Sequence, residues 1–313
     1  MYHPYFRGKQ YELITIREQA PTLMTAGFCP IIEPVREALS GLEKALNAVV
    51  EVDGKAIVIV NPHHGDLSGA GEQVTALLKQ FLGSPGISAG ILLEQKMTPD
   101  QVIESYKAHE AHKPVLIHAG FVEAKTLGEK LGEQTKENSH VFFEAFSGKL
   151  YQKHFKGAHK VLLRDGFQRM RNRDYPLVEH FSDLHATFTD EGMDGFGDFL
   201  IVGDDYSETG GPAYAVTIHL TFIDPDQDDS MLIYHFKSKR QDTPTDPAGK
   251  FAEALAEMMK KLNSPKTKVL ETSAVREFRT LHEQRHFPGL GYVKKLSMNH
   301  HIETLAHYFK SAA

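Results

Sequence analysis

A single repeating pattern constrains this chain more than any other feature. Short apolar runs end on a polar or charged residue and are followed by a stretch with apolar residues at helical spacing. The clearest copy is His140–Asp165, where Val141–Phe143 closes on Glu144, Lys149–Phe155 is amphipathic, and Val161–Leu163 closes on Arg164 and Asp165. Similar runs are Phe28–Ile32 closing on Glu33, Ala56–Val60 on Asn61, Ile87–Leu93 on Glu94, Pro114–Ile117 on His118 and Phe199–Val202 on Asp204 and Asp205. Continuous apolar runs, as opposed to alternating ones, mark parallel strands covered by helices on their faces. The closing residues Glu33, Asn61, Glu94, His118, Glu144, Asp165, Asp204 and His235 recur at the spacing of one β/α unit. Eight such strands predict an α/β fold, a (β/α)8 TIM-barrel-like domain. A doubly wound open sheet competes with it, but the first β-α turn lacks the Gly-x-Gly-x-x-Gly of a dinucleotide site.

The intervening segments read as helices over 39–50, 71–82, 98–111 and 122–131, with Pro99 placed for a first turn. An opening helix is expected over 10–19, ended by Pro21 and Gly27. Residues 167–191 read as a long insertion, and 213–223 and 231–236 as two β runs joined by the acidic link Asp224–Asp229. These runs suit a hairpin with one strand completing the barrel. Helices are expected over 247–262, 273–286 and 298–309. The expected organisation is therefore an N-terminal extension over 1–27, a barrel over 28–246, and C-terminal helices packed on the barrel over 247–313. Arg7 and Lys9, ahead of the first expected strand, would plug the bottom of the barrel or contact a partner protein.

In such a barrel the active site forms at the C-terminal strand ends. Glu33, Glu94, His118, Glu144, Asp165 and Asp204 are the candidate catalytic groups, because clustered acids perturb one another and supply a general acid and base. The opposing expectation is that these acids form structural ion pairs with lysines and arginines. Asn61, Arg169 and Arg171 are candidate substrate-binding residues, the arginines through guanidinium forks that match phosphate oxygens, with Arg173 nearby. His63, in the Pro62-His63-His64 loop, is a candidate ligand for a divalent metal ion. Gly203–Asp205 with Gly210-Gly211-Pro212 reads as a lid or as a turn before the next β segment. His282-Glu283-Gln284-Arg285-His286 matches the H-E-x-x-H of zinc peptidases, with His300, His301 or Glu303 as a third ligand. Against this, Pro288 and Gly289 stop the helix almost at once, and 18 histidines make a chance match unsurprising.

Net charge of −6 argues against a nucleic-acid-binding protein, which is usually strongly basic. One cysteine, Cys29, excludes an intrachain disulfide and fits a reducing compartment. No apolar run is long enough to span a membrane and no secretory leader is evident, so the expected location is cytoplasmic.

The segment Arg7-Gly8-Lys9-Gln10-x-Glu12 after an aromatic-rich opening, followed by Pro30-Ile31-Ile32-Glu33 and Gly210–Pro212, resembles the "beta" family of bacterial and phage-associated proteins. The resemblance implies a TIM-barrel-like fold and an association with phage or mobile elements, and it carries no residue roles. Two function classes follow. One is a barrel hydrolase, metal-assisted, acting on a phosphate-containing or other small-molecule substrate. The other is a partner-binding component of a phage-defence module, with the aromatic N-terminus and the helical tail as its interface.

Overall fold

The structure, a computed structural model, describes residues 1–208, 211 and 213–312. The chain divides into two units. The first comprises 1–164 and 187–199, the second 165–186 and 200–313.

The first unit is the barrel. Its strands are β1 (Tyr5–Phe6), β2 (Ile31–Ile32), β3 (Ala56–Ile59), β4 (Ile87–Glu94), β5 (Val115–Ala119), β6 (Ser139–Phe143) and β7 (His159–Leu163). After β8 (Val178–Ser182), which belongs to the second unit, β9 (Gly195–Gly197) is the last barrel strand. The sheet order is β1-β2-β3-β4-β5-β6-β7-β9, parallel throughout. A parallel bridge between Tyr2 and Phe196 brings the last strand back against the first. There the amide of His3 donates to Phe196 O at 2.7 Å and that of Tyr5 to Asp198 O at 2.9 Å. The helices between these strands include α1 (Gln10–Thr25), α2 (Ser40–Glu51), α3 (Glu72–Leu78), α4 (Pro99–Ala108) and α5 (Ala124–Leu131), followed by the short α6 (Gln134–Glu137) and α7 (Lys149–Gln152). Helix α4 opens on a capping box between Thr98 and Gln101, with Pro99 in its first turn.

Side chains alternate across each strand. Tyr5, Ile31, Ile57, Ile59, Val115, Ile117, Val141, Phe143, Val161 and Leu163 therefore share the barrel core. Their sequence neighbours point outward to the helices.

The TIM-barrel-like fold is as expected, but its two seam strands are not the expected ones. The first strand is Tyr5–Phe6, inside the stretch assigned to an N-terminal extension. The last is Gly195–Gly197 and not the hairpin strand that closes on His235, and the expected Phe199–Val202 is no strand, because Leu200 has φ +51° and the chain turns there. The glycines of β9 have a steric reason. A Cβ on Gly197 would lie 2.2 Å from the carbonyl oxygen of His3, so the closing strand approaches the first strand as only glycine can.

The second unit has a three-stranded antiparallel sheet of β10 (Thr217–Asp224), β11 (Ser230–Lys237) and β8, in the order β10-β11-β8. The expected hairpin is present, but neither of its strands completes the barrel. The expected insertion supplies β8 and the short α8 (Leu184–Thr187), which runs across the boundary between the units. Three helices, α9 (Pro247–Leu262), α10 (Ser273–Gln284) and α11 (Leu290–Ala312), complete the unit. Val216 just before β10 and Ile218, Leu220 and Phe222 of β10 form one core with Phe251, Met258, Phe278 and Leu296 of these helices. The C-terminal helices thus share a core with their own sheet, and the unit starts at Asp165 and not at residue 247.

Candidate active site

The mouth of the barrel is built around a buried carboxylate. Glu33 follows β2 directly and is fully buried. Its Oε2 accepts hydrogen bonds from the Tyr5 hydroxyl at 2.9 Å and from Arg7 Nη1 at 2.6 Å. Its Oε1 accepts from the amides of His63 and His64, both at 2.9 Å, and from His64 Nδ1 at 3.0 Å. Burial alone would push its pKa up. The His64 hydrogen bond, the Arg7 and His64 charges and the Tyr5 hydroxyl outweigh that effect and hold it at about 2. Glu33 is therefore an anion at neutral pH with both oxygens engaged. It fixes the end of β1 and the loop after β3 and is not a general acid or base. Arg7 lies over the rings of Tyr5 and Phe199, 5.0 and 5.5 Å from their centroids, at the C-terminal end of β1. It is part of the mouth, and the plug and partner-contact expectations for it are both corrected.

Two features of the local sequence permit this geometry. Gly8 has φ +61°, and a Cβ there would lie 2.8 Å from Glu33 O. Gly65 has φ +73°, and its Cβ would lie 2.1 Å from Val35 O, so the chain turns sharply after His64.

The fixed loop presents His63. Its Nδ1 is paired with Glu94 Oε1, at the end of the neighbouring strand β4. The imidazole side chain is 57 % exposed and rests edge-on against the His64 ring at 4.6 Å. With Nδ1 bonded to a carboxylate, the proton of neutral His63 sits on Nδ1 and Nε2 carries the lone pair. Asn61 is spent on structure. Its side chain donates to Leu92 O and accepts from Leu92 N–H, both at 2.8 Å, and so extends the β3–β4 ladder by one rung. This is a correction to its expected substrate-binding role.

The remaining candidates part company. Glu144 receives a bidentate pair from Arg164, Nε at 2.7 Å and Nη2 at 2.6 Å, the structural ion pair that was the opposing expectation. His118 does not face the mouth. It lies on the outer face of β5, where Tyr151 donates to its Nδ1 at 2.7 Å. Its Nε2 donates to His140 Nδ1 at 2.9 Å, and His140 Nε2 donates to Thr135 O at 3.2 Å. Burial holds both imidazoles neutral. It lowers His118 well below the usual histidine value, with help from His140, and His140 to about 4, against the Thr135 carbonyl, which raises it. Side-chain alternation explains the error, because Val115 and Ile117 point inward and His118 must point outward.

Asp165 and Asp204 belong to the second unit. Asp165 accepts from the amides of Phe167 at 2.9 Å and Asp204 at 2.8 Å, which makes it a loop fastener. Arg169 and Arg171 lie in the same unit on an exposed loop, with Arg169 donating to Asp205 O at 3.0 Å. Gly210 and Pro212 of the expected lid lie outside the described residues.

Among the described residues no three His, Cys, Asp or Glu side chains are grouped as a metal ion requires, so the donor set does not fit a metal at His63. The peptidase motif is not formed either. Helix α10 ends at Gln284 and Arg285 adopts φ +52°, so His286 is not on the same helical face as His282. Of its expected third ligands, His300 is bonded to Thr272 and His301 to Thr221, each through Nδ1, and Glu303 to Ser273.

Fold and mouth together define a (β/α)8-barrel protein with a carboxylate–imidazole pair at the C-terminal strand ends. No family model matches the sequence, and a search of curated proteins gives no match. Among the described residues, no helix is long and apolar enough to cross a membrane.

Proposed function

We propose that the barrel is a hydrolase in which His63 is the general base and Glu94 orients it. The observation that carries this reading is the His63–Glu94 pair itself, at the rim where barrel enzymes build their sites, with Nε2 unbonded among the described residues on a half-exposed ring. In this reading His63 Nε2 takes a proton from water as the water oxygen bonds to the electrophilic centre of the substrate. The leaving group departs with the electron pair of the broken bond, and the Glu94 carboxylate stabilises the imidazolium. Glu33 acts at one remove, by holding the amides of His63 and His64 in place. A phosphate-containing substrate is supported by Lys96, exposed two residues beyond Glu94.

The test is a panel of chromogenic carboxyl and phosphate esters assayed with the wild type, His63→Gln and Glu94→Gln. The expected result is turnover by the wild type that falls by about 10²-fold or more in His63→Gln, the usual weight of a general base. A rate unchanged in His63→Gln would overturn the assignment.

A second reading, a partner-binding component such as one of a phage-defence module, is favoured by exposed apolar side chains on the segments that follow β5 and β6: Val122 and Phe146 in loops and Leu150 in α7. Its interface would not be the aromatic N-terminus, because Tyr2, Tyr5 and Phe6 are buried in the barrel wall. No turnover on any ester, together with a stable complex lost in Phe146→Ser, would favour this reading over the first.

A further inference from the structure

The second unit holds a line of titratable side chains that the barrel reading does not use. His219 and His235 are directly opposite each other on β10 and β11, with their Nδ1 atoms 2.7 Å apart. His235 Nε2 lies 3.0 Å from Glu179 Oε1 on β8. An ionised carboxylate can only accept, so His235 donates from Nε2. Burial, with Lys237 nearby, lowers the pKa of His235 to about 4, so its ring is neutral and its Nδ1 is a lone pair. The contact between the two Nδ1 atoms then requires the proton on His219 Nδ1. That leaves His219 Nε2 as an acceptor with no hydrogen-bond partner among the described residues. Burial, then His235 and Lys294, lower the pKa of His219 well below the ordinary value, so the lone pair persists at neutral pH.

The surroundings of that nitrogen have a definite chemical character. Phe167 and Tyr175 meet the His219 ring edge-on at 5.1 and 5.0 Å, and Tyr175 stacks on His235 at 4.5 Å. Between these two aromatics the chain carries Arg169, Arg171 and Arg173, all exposed. Their loop is fastened to β10 and its approach, since Asn172 Nδ2 donates to Ala215 O at 2.8 Å and Thr217 Oγ1 donates to Asn172 O at 3.1 Å. Lys294 of α11 adds a positive charge close enough to disfavour protonation of His219. Tyr175 is also within reach of the Glu179 and Arg169 charges, and Lys237 donates to its carbonyl oxygen. A neutral acceptor set among cations suits a ligand that offers an O–H donor and a negative charge together.

We propose that His219 Nε2 is the acceptor of a second ligand site, taking a hydrogen bond from the O–H of a protonated oxyanion. That ligand is inorganic phosphate or a singly protonated phosphate monoester, with its charge facing Lys294 and the arginine loop. His235 and Glu179 are positioning residues that fix the His219 tautomer. The site lies wholly within the second unit and does not rest on the barrel reading.

The discriminating probe pair is phosphate and sulfate. Both are anions of similar size, but sulfate has no O–H at neutral pH. The test is long-range ¹H–¹⁵N NMR of the full chain labelled at histidine, titrated with each anion at constant ionic strength and pH 7. His219 is recognised in the wild type by its hydrogen-bond coupling to His235, so no core variant has to fold. The expected result is a lone-pair His219 Nε2 resonance that shifts saturably with phosphate. Sulfate should bind at least about tenfold more weakly, the weight of one hydrogen bond involving a charged partner. Lys294→Gln and Arg171→Gln, both at exposed positions, should weaken phosphate binding, and His63→Gln should leave it unchanged. A protonated His219 Nε2, no shift with phosphate, or equal binding of the two anions would overturn the proposal.

Discussion

Replacing Glu33 by glutamine removes one charge at nearly constant shape, and the structure sets the size of the effect. The carboxylate is fully buried and its pKa is held at about 2 against an ordinary 4.5. A gap of that size corresponds to about 3 kcal/mol of folding free energy at neutral pH, at 1.36 kcal/mol per unit. Breaking a buried ion pair from one side costs about 3–5 kcal/mol, so the two routes agree. The glutamine NH₂ would also oppose either the Arg7 and Tyr5 donors or the two backbone amides. Because the folded-state pKa is depressed, this contribution is complete above about 4.5 and is lost as pH falls towards 2. Urea unfolding of wild type and Glu33→Gln should therefore differ by about 3 kcal/mol at pH 7, with the gap shrinking below pH 4.5. Adding Arg7→Met to Glu33→Gln should recover part of the loss, because the uncompensated cation is gone. A cost below about 1 kcal/mol at pH 7 would refute the claim that Glu33 anchors the mouth.

Further expectations follow from other sites. The pKa of His140 falls from 6.5 to about 4 on folding, so its neutral form contributes about 3 kcal/mol that is complete above pH 6.5 and is lost as pH falls through 4. His140→Gln should flatten the acid limb of the stability profile, and an unchanged limb would contradict this. Gly197→Ala forces a Cβ against the His3 carbonyl and should cost about 1–3 kcal/mol or more, measured by urea unfolding. Glu144 and Arg164 are part exposed, so a double-mutant cycle should give a coupling of no more than about 1 kcal/mol despite the bidentate geometry. Burial pushes the Cys29 thiol up to about 12, so it should resist a thiol reagent until the protein unfolds, as followed by absorbance.

The sequence made the barrel legible wherever strands are apolar and of ordinary length. Ala56–Ile59, Ile87–Glu94 and Val115–Ala119 are read directly from their runs. The two seam strands were not legible, for two different reasons. Tyr5–Phe6 is two residues long, too short for any periodicity. Gly-Phe-Gly at 195–197 has poor strand propensity, because tight closure there favours glycine over β-branched residues. At the site, Glu33, His63 and Glu94 were found from their positions at strand ends, but their roles were not. A strand-end acid with five donors around it looks the same in sequence as one with none. The roles of Asn61 and Glu144 are hidden for the same reason, since their partners are Leu92 on the neighbouring strand β4 and Arg164 just past the neighbouring strand β7. The inward-outward alternation that excludes His118 was available from Val115 and Ile117. Glu179 and His219 carry no sequence signal and His235 reads only as a strand-end residue, because the convergence of the three depends on the register of three strands, two of which are separated from each other by an excursion into the barrel.

The most direct test of the proposed chemistry is single-turnover hydrolysis of an activated ester by wild type and His63→Gln, with folding of both verified by circular dichroism. The expected result is an intact fold and a loss of about 10²-fold or more in rate for His63→Gln. Equal rates in two folded proteins would contradict a catalytic role for the His63–Glu94 pair.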